Sequence, residues 1–247
     1  MKLSNLLHGV KTSGFEDIEI TGITCDSRQV MPGYAFVCIA GTVHDGHQFA
    51  AQAVEKGAAA IIAQRDLGIA GQVLVPSTRK AWAHMSANWF GRPAEKLKMV
   101  GVTGTNGKST VTYLLKGILE YCGQKVGLVG TIQNIIGDQV LEAHNTTPDP
   151  YQLHGLLAQM VEAGCQYAVM EVSSHALDQD RVEGCHFAAG VFTNLTQDHL
   201  DYHGTMDEYM QAKKRLFSIC DTAILNLDDQ WAAQISEGIP AEIISYS

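Results

Sequence analysis

Gly101-Val102-Thr103-Gly104-Thr105-Asn106-Gly107-Lys108-Ser109-Thr110 is the stretch whose reading decides the fold. An apolar run, Met99 to Val102, leads into it. Behind it Val111, Leu114, Leu115, Ile118, Leu119 and Cys122 recur at helical spacing as far as Gly123, which sits where a C-cap belongs. Strand, glycine-rich turn and helix in that order are the context a phosphate-binding loop needs. Glycines let backbone N–H groups turn toward a phosphate, and the helix N-terminus adds partial positive charge. Lys108 balances β- and γ-phosphate charge, and Ser109 can ligate Mg2+. The spacing departs from the usual GxxxxGKS or GxxxxGKT, since Val102 stands five before Gly107 while Gly101 and Gly104 lie six and three before it. Gly104, Thr105, Asn106, Gly107, Lys108, Ser109 and Thr110 are therefore expected to bind ATP with Mg2+. Such a loop does not say which group receives the phosphate.

Downstream, the chain continues as a regular strand, loop, helix series, which implies a mostly parallel sheet flanked by helices. A second helix opens with Asp149 as N-cap and Pro150 in the first turn, carries Leu153, Leu156, Leu157, Met160 and Val161, and stops at Gly164. Both helices read as core-facing crossovers. Ala241 to Ser247 reads as an apolar strand with nothing after it to cover it, so a chain cut before its natural end is expected. Upstream, short β-like runs (Ile18 to Ile20, Tyr34 to Ala40, Ala58 to Ala63, Val73 to Val75) alternate with helical stretches, His47 to Lys56 and Thr78 to Phe90. The turn signal Gly91-Arg92-Pro93 places a boundary within residues 92–97. The expected fold class is α/β: a small N-terminal α/β domain over residues 1–95, then a P-loop ATPase-like domain over residues 96–247, incomplete at its C-terminus.

Composition bounds the function. The 247 residues are 46% hydrophobic with 6 prolines, enough for two modest domains with proper cores and too apolar for disorder. No run of about eighteen apolar residues occurs and the start is too short and mixed for a signal peptide, so membrane insertion is not expected and a cytoplasmic place is. Cys25, Cys38, Cys122, Cys165, Cys185 and Cys220 form no CxxC pair and read as reduced, mostly core thiols. A formal charge of -9 argues against generic nucleic-acid binding, so any anionic ligand must be held by a local site.

Three further constellations carry chemistry. Tyr167-Ala168-Val169-Met170-Glu171-Val172 is a buried-type strand with a carboxylate near its C-terminal end, where open α/β sheets place ligands. Glu171 is either a metal ligand or an edge glutamate facing solvent; within an apolar run it is costly unless paired or on a cation. After the next strand, Ala188 to Thr193, the run from Asn194 to Gly204 holds two His and two Asp within six positions, either a metal site or a polar loop. The helix that follows starts with Thr205 and Glu208 at capping-box spacing. At about 100° per residue, Tyr209, Leu216, Phe217 and Cys220 share one face and Lys213 falls within it, while Lys214 and Arg215 point away. Lys213 either snorkels or faces a site, where desolvation would lower its pKa and free the neutral amine.

The segments GVTGTNGKST (101–110), NTTPD (145–149), EVSSHALDQDRV (171–182) and NLTQDHLDYHGTMDEYMQAK (194–213) together resemble the Mur ligase family. The likeness is strongest to its UDP-N-acetylmuramoyl-L-alanyl-D-glutamate ligases, the MurE type. Asp26-Ser27-Arg28, Pro32-Gly33 and Gly41-Thr42-Val43-His44-Asp45-Gly46 are similar to that family's N-terminal domain, which holds the UDP moiety.

The resemblance implies an ATP-dependent amide ligase of peptidoglycan synthesis. It would transfer a phosphoryl group to the terminal D-glutamate carboxylate of UDP-MurNAc-L-Ala-D-Glu, and a diamino acid, meso-diaminopimelate or L-lysine, would attack the acyl phosphate. Lys108, Lys213 and His199 would be catalytic; Ser109, Glu171, His199 and a carbamylated Lys213 would hold Mg2+. Asn145, Thr146, Thr147, Ser173, Gln179 and Arg181 would bind the muramoyl-peptide, and Ser27 the uridine side. The resemblance further implies a third, amino-acid-binding domain lying beyond these residues, and hence a monomeric, inactive fragment. A folylpolyglutamate- or MurF-type ligase and a non-catalytic ATP-binding scaffold are the competing readings.

Overall fold

The computed structural model describes residues 1–41 and 44–247, so within the 41–46 motif Thr42 and Val43 lie outside the described residues. The chain divides into two compact units, Met1–Gly91 and Arg92–Ser247. The division falls just ahead of the 3-10 turn Pro93–Lys96, whose Ala94 is buried in the core of the second unit.

The first unit runs α1 (Leu3–Leu6), β1 (Gly22–Thr24), β2 (Tyr34–Val37), a 3-10 turn (Gly46–Phe49), α2 (Ala50–Glu55), β3 (Ala60–Ala63), β4 (Gln72–Leu74) and α3 (Thr78–Trp89). Its four strands lie in the order β1-β2-β3-β4, all parallel. Two expectations are corrected. Ile18 to Ile20 forms no strand, because its neighbour offers only an isolated bridge between Lys2 and Glu19. The helix expected from His47 starts instead as a 3-10 turn, with Asp45 accepting the His47 N–H as its cap.

The second unit continues with β5 (Lys98–Thr103), α4 (Lys108–Tyr121), β6 (Val126–Val129), β7 (Gln133–Ile136), β8 (Gln139–Glu142), α5 (Pro150–Glu162), β9 (Tyr167–Glu171), α6 (Ser174–Asp178) and β10 (Phe187–Phe192). Then come α7 (Leu200–His203), α8 (Met206–Lys214), a 3-10 turn (Arg215–Ser218), β11 (Cys220–Asn226), α9 (Ala232–Ser236) and β12 (Glu242–Tyr246). The strand order is β12-β11-β10-β5-β9-β6-β7-β8, parallel from β12 to β6, with β7 and β8 added as an antiparallel hairpin. The fold is thus α/β with a mostly parallel sheet, as the periodicity implied.

Local chemistry sets the helix ends. Asp149 accepts the Tyr151 and Gln152 N–H groups with Pro150 behind it, a cap worth about 1 kcal/mol. Thr205 and Glu208 close a reciprocal capping box on α8. Two faces differ from the sequence pattern. Leu114 and Ile118 on α4 are exposed, as is Cys122, and only Thr112 of that helix is fully buried. The reason is register: Ser109 must face the sheet to reach Glu171 on β9, and that rotation turns Leu114 and Ile118 outward. Cys220 belongs to β11 rather than to the α8 face, since the helix ends at Lys214.

Candidate active site

Because β5, β6, β9 and β10 run parallel, the segments after them leave the sheet along one edge: Gly104 to Gly107, Gly130 and Thr131, Val172 and Ser173, and Thr193 to His199. This is the carboxyl edge at which open α/β sheets bind ligands. The loop after β5 is tightly built. Gly104 has φ +150°, and a Cβ there would lie 1.9 Å from Thr193 Oγ1. Asn194 carries the loop from the other side: its carbonyl accepts the Thr105 N–H (2.8 Å) and its side chain accepts the Asn106 N–H (2.9 Å). Thr193 Oγ1 donates to the Asn106 carbonyl at 2.7 Å. Gly107, at φ +85°, is the N-cap of α4 and has no side chain to cover the first-turn amides from Lys108 to Thr110. Those groups are left for a ligand or water.

Two lysines converge on this loop. Lys108 Nζ donates to the carbonyls of Gly104 (3.0 Å) and Thr105 (2.9 Å), and Lys213 Nζ donates to the same Gly104 carbonyl at 2.9 Å. Lys213 is 1% exposed and lies under the Tyr209 ring, 4.5 Å from its centroid. Burial, with Lys108 adding to it and Asp198 opposing it, drives the Lys213 ammonium well below the ordinary lysine range. Burial also lowers Lys108, against the pull of Glu171 and Asp198. Tyr209 hydrogen-bonds Thr105 through its hydroxyl (3.2 Å) and stacks on His203. The Lys213 alternative is thereby decided in favour of a side chain facing the loop.

Glu171 is 1% exposed, so the solvent-facing alternative falls. Its Oε1 accepts from Ser109 Oγ (2.9 Å) and from the Thr131 N–H (2.9 Å), and its Oε2 accepts from Thr131 Oγ1 (3.0 Å). His199 is exposed, with φ +52°, and its ring stands 4.9 Å from His175 and 6.0 Å from Tyr209. Burial and the neighbouring His199 hold His175 below the usual histidine range. Among the described residues no group of three or more His, Cys, Asp or Glu stands at metal-binding spacing. A hydroxyl and a carboxylate nevertheless offer the hard oxygen donors that Mg2+ takes, with the rest of its shell from phosphate and water. The cradle, the uncapped amides, the Lys108 side chain on the loop and this donor pair fit a magnesium triphosphate.

Most of the residues expected on the acceptor side gather beside Glu171. Thr147 is buried, donates its hydroxyl to the Glu171 carbonyl (2.9 Å) and accepts the Ser173 N–H (3.0 Å). Arg181 Nη1 donates to the Thr147 carbonyl (2.9 Å), while its Nε and Nη2 clamp Gln179 Oε1 at 3.1 and 2.8 Å. Gln179 in turn donates to the Tyr202 hydroxyl (3.2 Å), which donates to Asp178 (2.9 Å). Thr146 meets Thr131, and Asn145 is exposed. Ser27 lies in the first unit, where its carbonyl accepts from Lys56 Nζ at 2.8 Å. Sequence reasoning missed Thr131, Thr193 and Asn194. The signal for Thr131 was present in Val126 to Thr131, an apolar strand ending in glycine and a hydroxyl, as β5 does.

A parallel α/β sheet with a phosphate-type loop at its carboxyl edge defines a P-loop-like fold of the kind used by many nucleotide-dependent enzymes. The chain belongs to the Mur ligase family: a family model described as the Mur ligase middle domain matches residues 102–247, and one described as Mur ligase family, catalytic domain, matches residues 19–87. It is 46% identical over 245 residues to the UDP-N-acetylmuramoyl-L-alanyl-D-glutamate--2,6-diaminopimelate ligase of Clostridium perfringens, covering 97% of this chain and 51% of that protein. The ligase of the same name from Caldanaerobacter subterraneus is 44% identical over 253 residues, covering 100% and 52%. A solved structure of a ligase of that name superposes with a TM-score of 0.82 at 29% identity, over 100% of this chain and 52% of that one. The chain thus spans about half the length of the curated relatives it matches.

Proposed function

We propose that this chain carries the nucleotide-binding and acceptor-binding parts of an ATP-dependent amide ligase that adds a diamino acid to UDP-MurNAc-L-Ala-D-Glu in peptidoglycan synthesis. The observation that carries this reading is the meeting of Lys108 and Lys213 on one loop carbonyl beside the Ser109–Glu171 pair. Both relatives above are named for 2,6-diaminopimelate, which favours that amino acid over L-lysine.

The chemistry this arrangement suits is phosphoryl transfer from ATP to the D-glutamate carboxylate, followed by attack of an amine on the acyl phosphate. Two anions must meet, so neutralising charge is the main catalytic requirement. Lys108 turns from the Gly104 and Thr105 carbonyls to the β- and γ-phosphates, and the first-turn amides of α4 receive phosphate oxygens. Ser109 and Glu171 would hold a Mg2+ ion, which would supply further charge neutralisation; His199, exposed beside His175 and Tyr209, is the further ligand the family resemblance implies. The depressed pKa of Lys213 makes its neutral amine available to CO2. The amine nitrogen bonds the carbon, one proton leaves, and the resulting carbamate carries a carboxylate toward the loop. Arg181, Gln179, Ser173, Thr146 and Thr147 orient the acceptor, with Asn145 at the rim and Ser27 on the uridine side. A supply of ATP makes the cytoplasm the compartment that suits this reaction. Among the described residues no helix is long and apolar enough to cross a membrane.

Calorimetry with Mg2+ and the β,γ-methylene analogue of ATP tests the reading. The folded chain binds it, Lys108→Ala weakens binding at least tenfold, and of the UDP-muramoyl acceptors the D-glutamate-terminated one binds tightest. A folded chain that binds no analogue would remove the assignment.

A further inference from the structure

We propose that Thr131 is a positioning residue that fixes the Glu171 carboxylate for a divalent cation. This rests on the reading of the site given above. Thr131 is the one residue among those described that donates to both carboxylate oxygens, its backbone N–H to Oε1 at 2.9 Å and its hydroxyl to Oε2 at 3.0 Å. With Ser109 also on Oε1, three of the roughly four lone-pair positions of the carboxylate are filled, and the remaining one is on Oε2. Thr131 therefore sets both the rotation of the carboxylate and the direction in which its open lone pair points.

The surroundings are arranged for this contact. The Thr131 hydroxyl also lies 3.0 Å from Thr146 Oγ1. It has one proton, and the charged carboxylate is the stronger acceptor, so Thr146 donates back to Thr131. A chain of hydroxyls from the 145–149 loop thus ends on Glu171. The preceding residue has to be small: a Cβ on Gly130 would lie 2.5 Å from Glu171 Oε1, so glycine admits the carboxylate to the Thr131 amide.

The test is a Mg2+ titration of the whole chain at fixed concentration of the β,γ-methylene ATP analogue, repeated in EDTA. Outer-shell partners of metal ligands are typically worth about 10–100-fold in metal affinity. Thr131→Val keeps the volume and the N–H but loses the hydroxyl, and is expected to raise the half-saturating Mg2+ concentration about tenfold. Analogue affinity in EDTA stays within about twofold, a split that general loosening of the fold does not produce, and Thr131→Ser restores the wild-type titration. Thr131 itself is exposed, so neither replacement opens a core cavity, and Thr131→Ala serves as the second variant. Wild-type Mg2+ dependence in both Val and Ala variants overturns the inference alone. A folded wild-type chain without Mg2+-dependent binding overturns the site reading and this inference together.

Discussion

Replacing Lys213 with methionine should make the ligand-free chain more stable, and more so in acid than in alkali. The Lys213 ammonium is 1% exposed, with a single carbonyl acceptor at 2.9 Å and a ring face at 4.5 Å. A charged hydrogen bond is worth about 1.5–3 kcal/mol and a ring contact about 1 kcal/mol, whereas removing an ammonium from water costs several kcal/mol even after relaxation. Methionine fills the same space without that cost, and the Gly104 carbonyl keeps Lys108 at 3.0 Å. The net gain is about 1–3 kcal/mol, or roughly 2–4 °C of melting temperature per kcal/mol for a chain of this size. The pH dependence follows from the depressed pKa. Between that value and the unfolded lysine value of about 10.4, the unfolded chain holds one proton more, so wild-type stability rises with pH across the window. The advantage of the variant is therefore fully present below the depressed pKa and fades toward about pH 10. Urea unfolding from pH 5 to pH 10, in CO2-free buffer without nucleotide, measures it. A Lys213→Met chain less stable than wild type at pH 5, or a gap that does not narrow with rising pH, refutes the argument.

Two further outcomes are expected. Gly127→Ala places a Cβ against Met160 Sδ, so the buried Met160 side chain must repack between α5 and the sheet at a cost of about 1–3 kcal/mol, read as a lower melting temperature of the Arg92–Ser247 unit. In the first unit, hydrogen bonds from the His47 side chain and backbone, with Arg65 behind them, hold Asp45 down to about 2. Its contribution is present above the unfolded aspartate value of about 3.9 and is lost as pH falls toward 2, so Asp45→Asn should flatten the acid limb of an unfolding curve followed from pH 6 to pH 2. An unchanged limb would mean that the Asp45–His47 contact at 2.6 Å does not outlast solvation.

What the sequence disclosed and what it withheld divide along local and distant chemistry. The phosphate loop, the Asp149 cap, the Thr205–Glu208 box and the left-handed glycines 123 and 164 are signals spelled out within a few residues, and each appears at its place. Lys213 was legible because a lysine on an apolar stripe violates local pattern. Thr131 was marked only as the end of an apolar run, and its role was hidden because it depends on a carboxylate 40 residues away. The outward turn of Leu114 and Ile118 was hidden for a related reason: the loop, not the apolar stripe, fixes the rotation of α4. The β7–β8 hairpin was marked by Gly137, φ +58°, at the first position of a two-residue turn, a local sign that the dominant strand, loop, helix rhythm obscured.

The central place of β5 has a consequence for how the chain comes to life on the ribosome. Its two neighbours are β9 and β10, which begin at Tyr167 and Phe187, so the strand that launches the phosphate loop is synthesised long before either flank exists. Until β9 has emerged the apolar segment Met99 to Val102 has no neighbour to pair with, and until β10 follows the Thr193–Asn194 clasp on the loop cannot form. Closing such a distant pairing carries a loop-entropy cost that grows slowly with length but delays folding. The nascent segment is therefore an apolar stretch open to premature association, which a chaperone has reason to shelter.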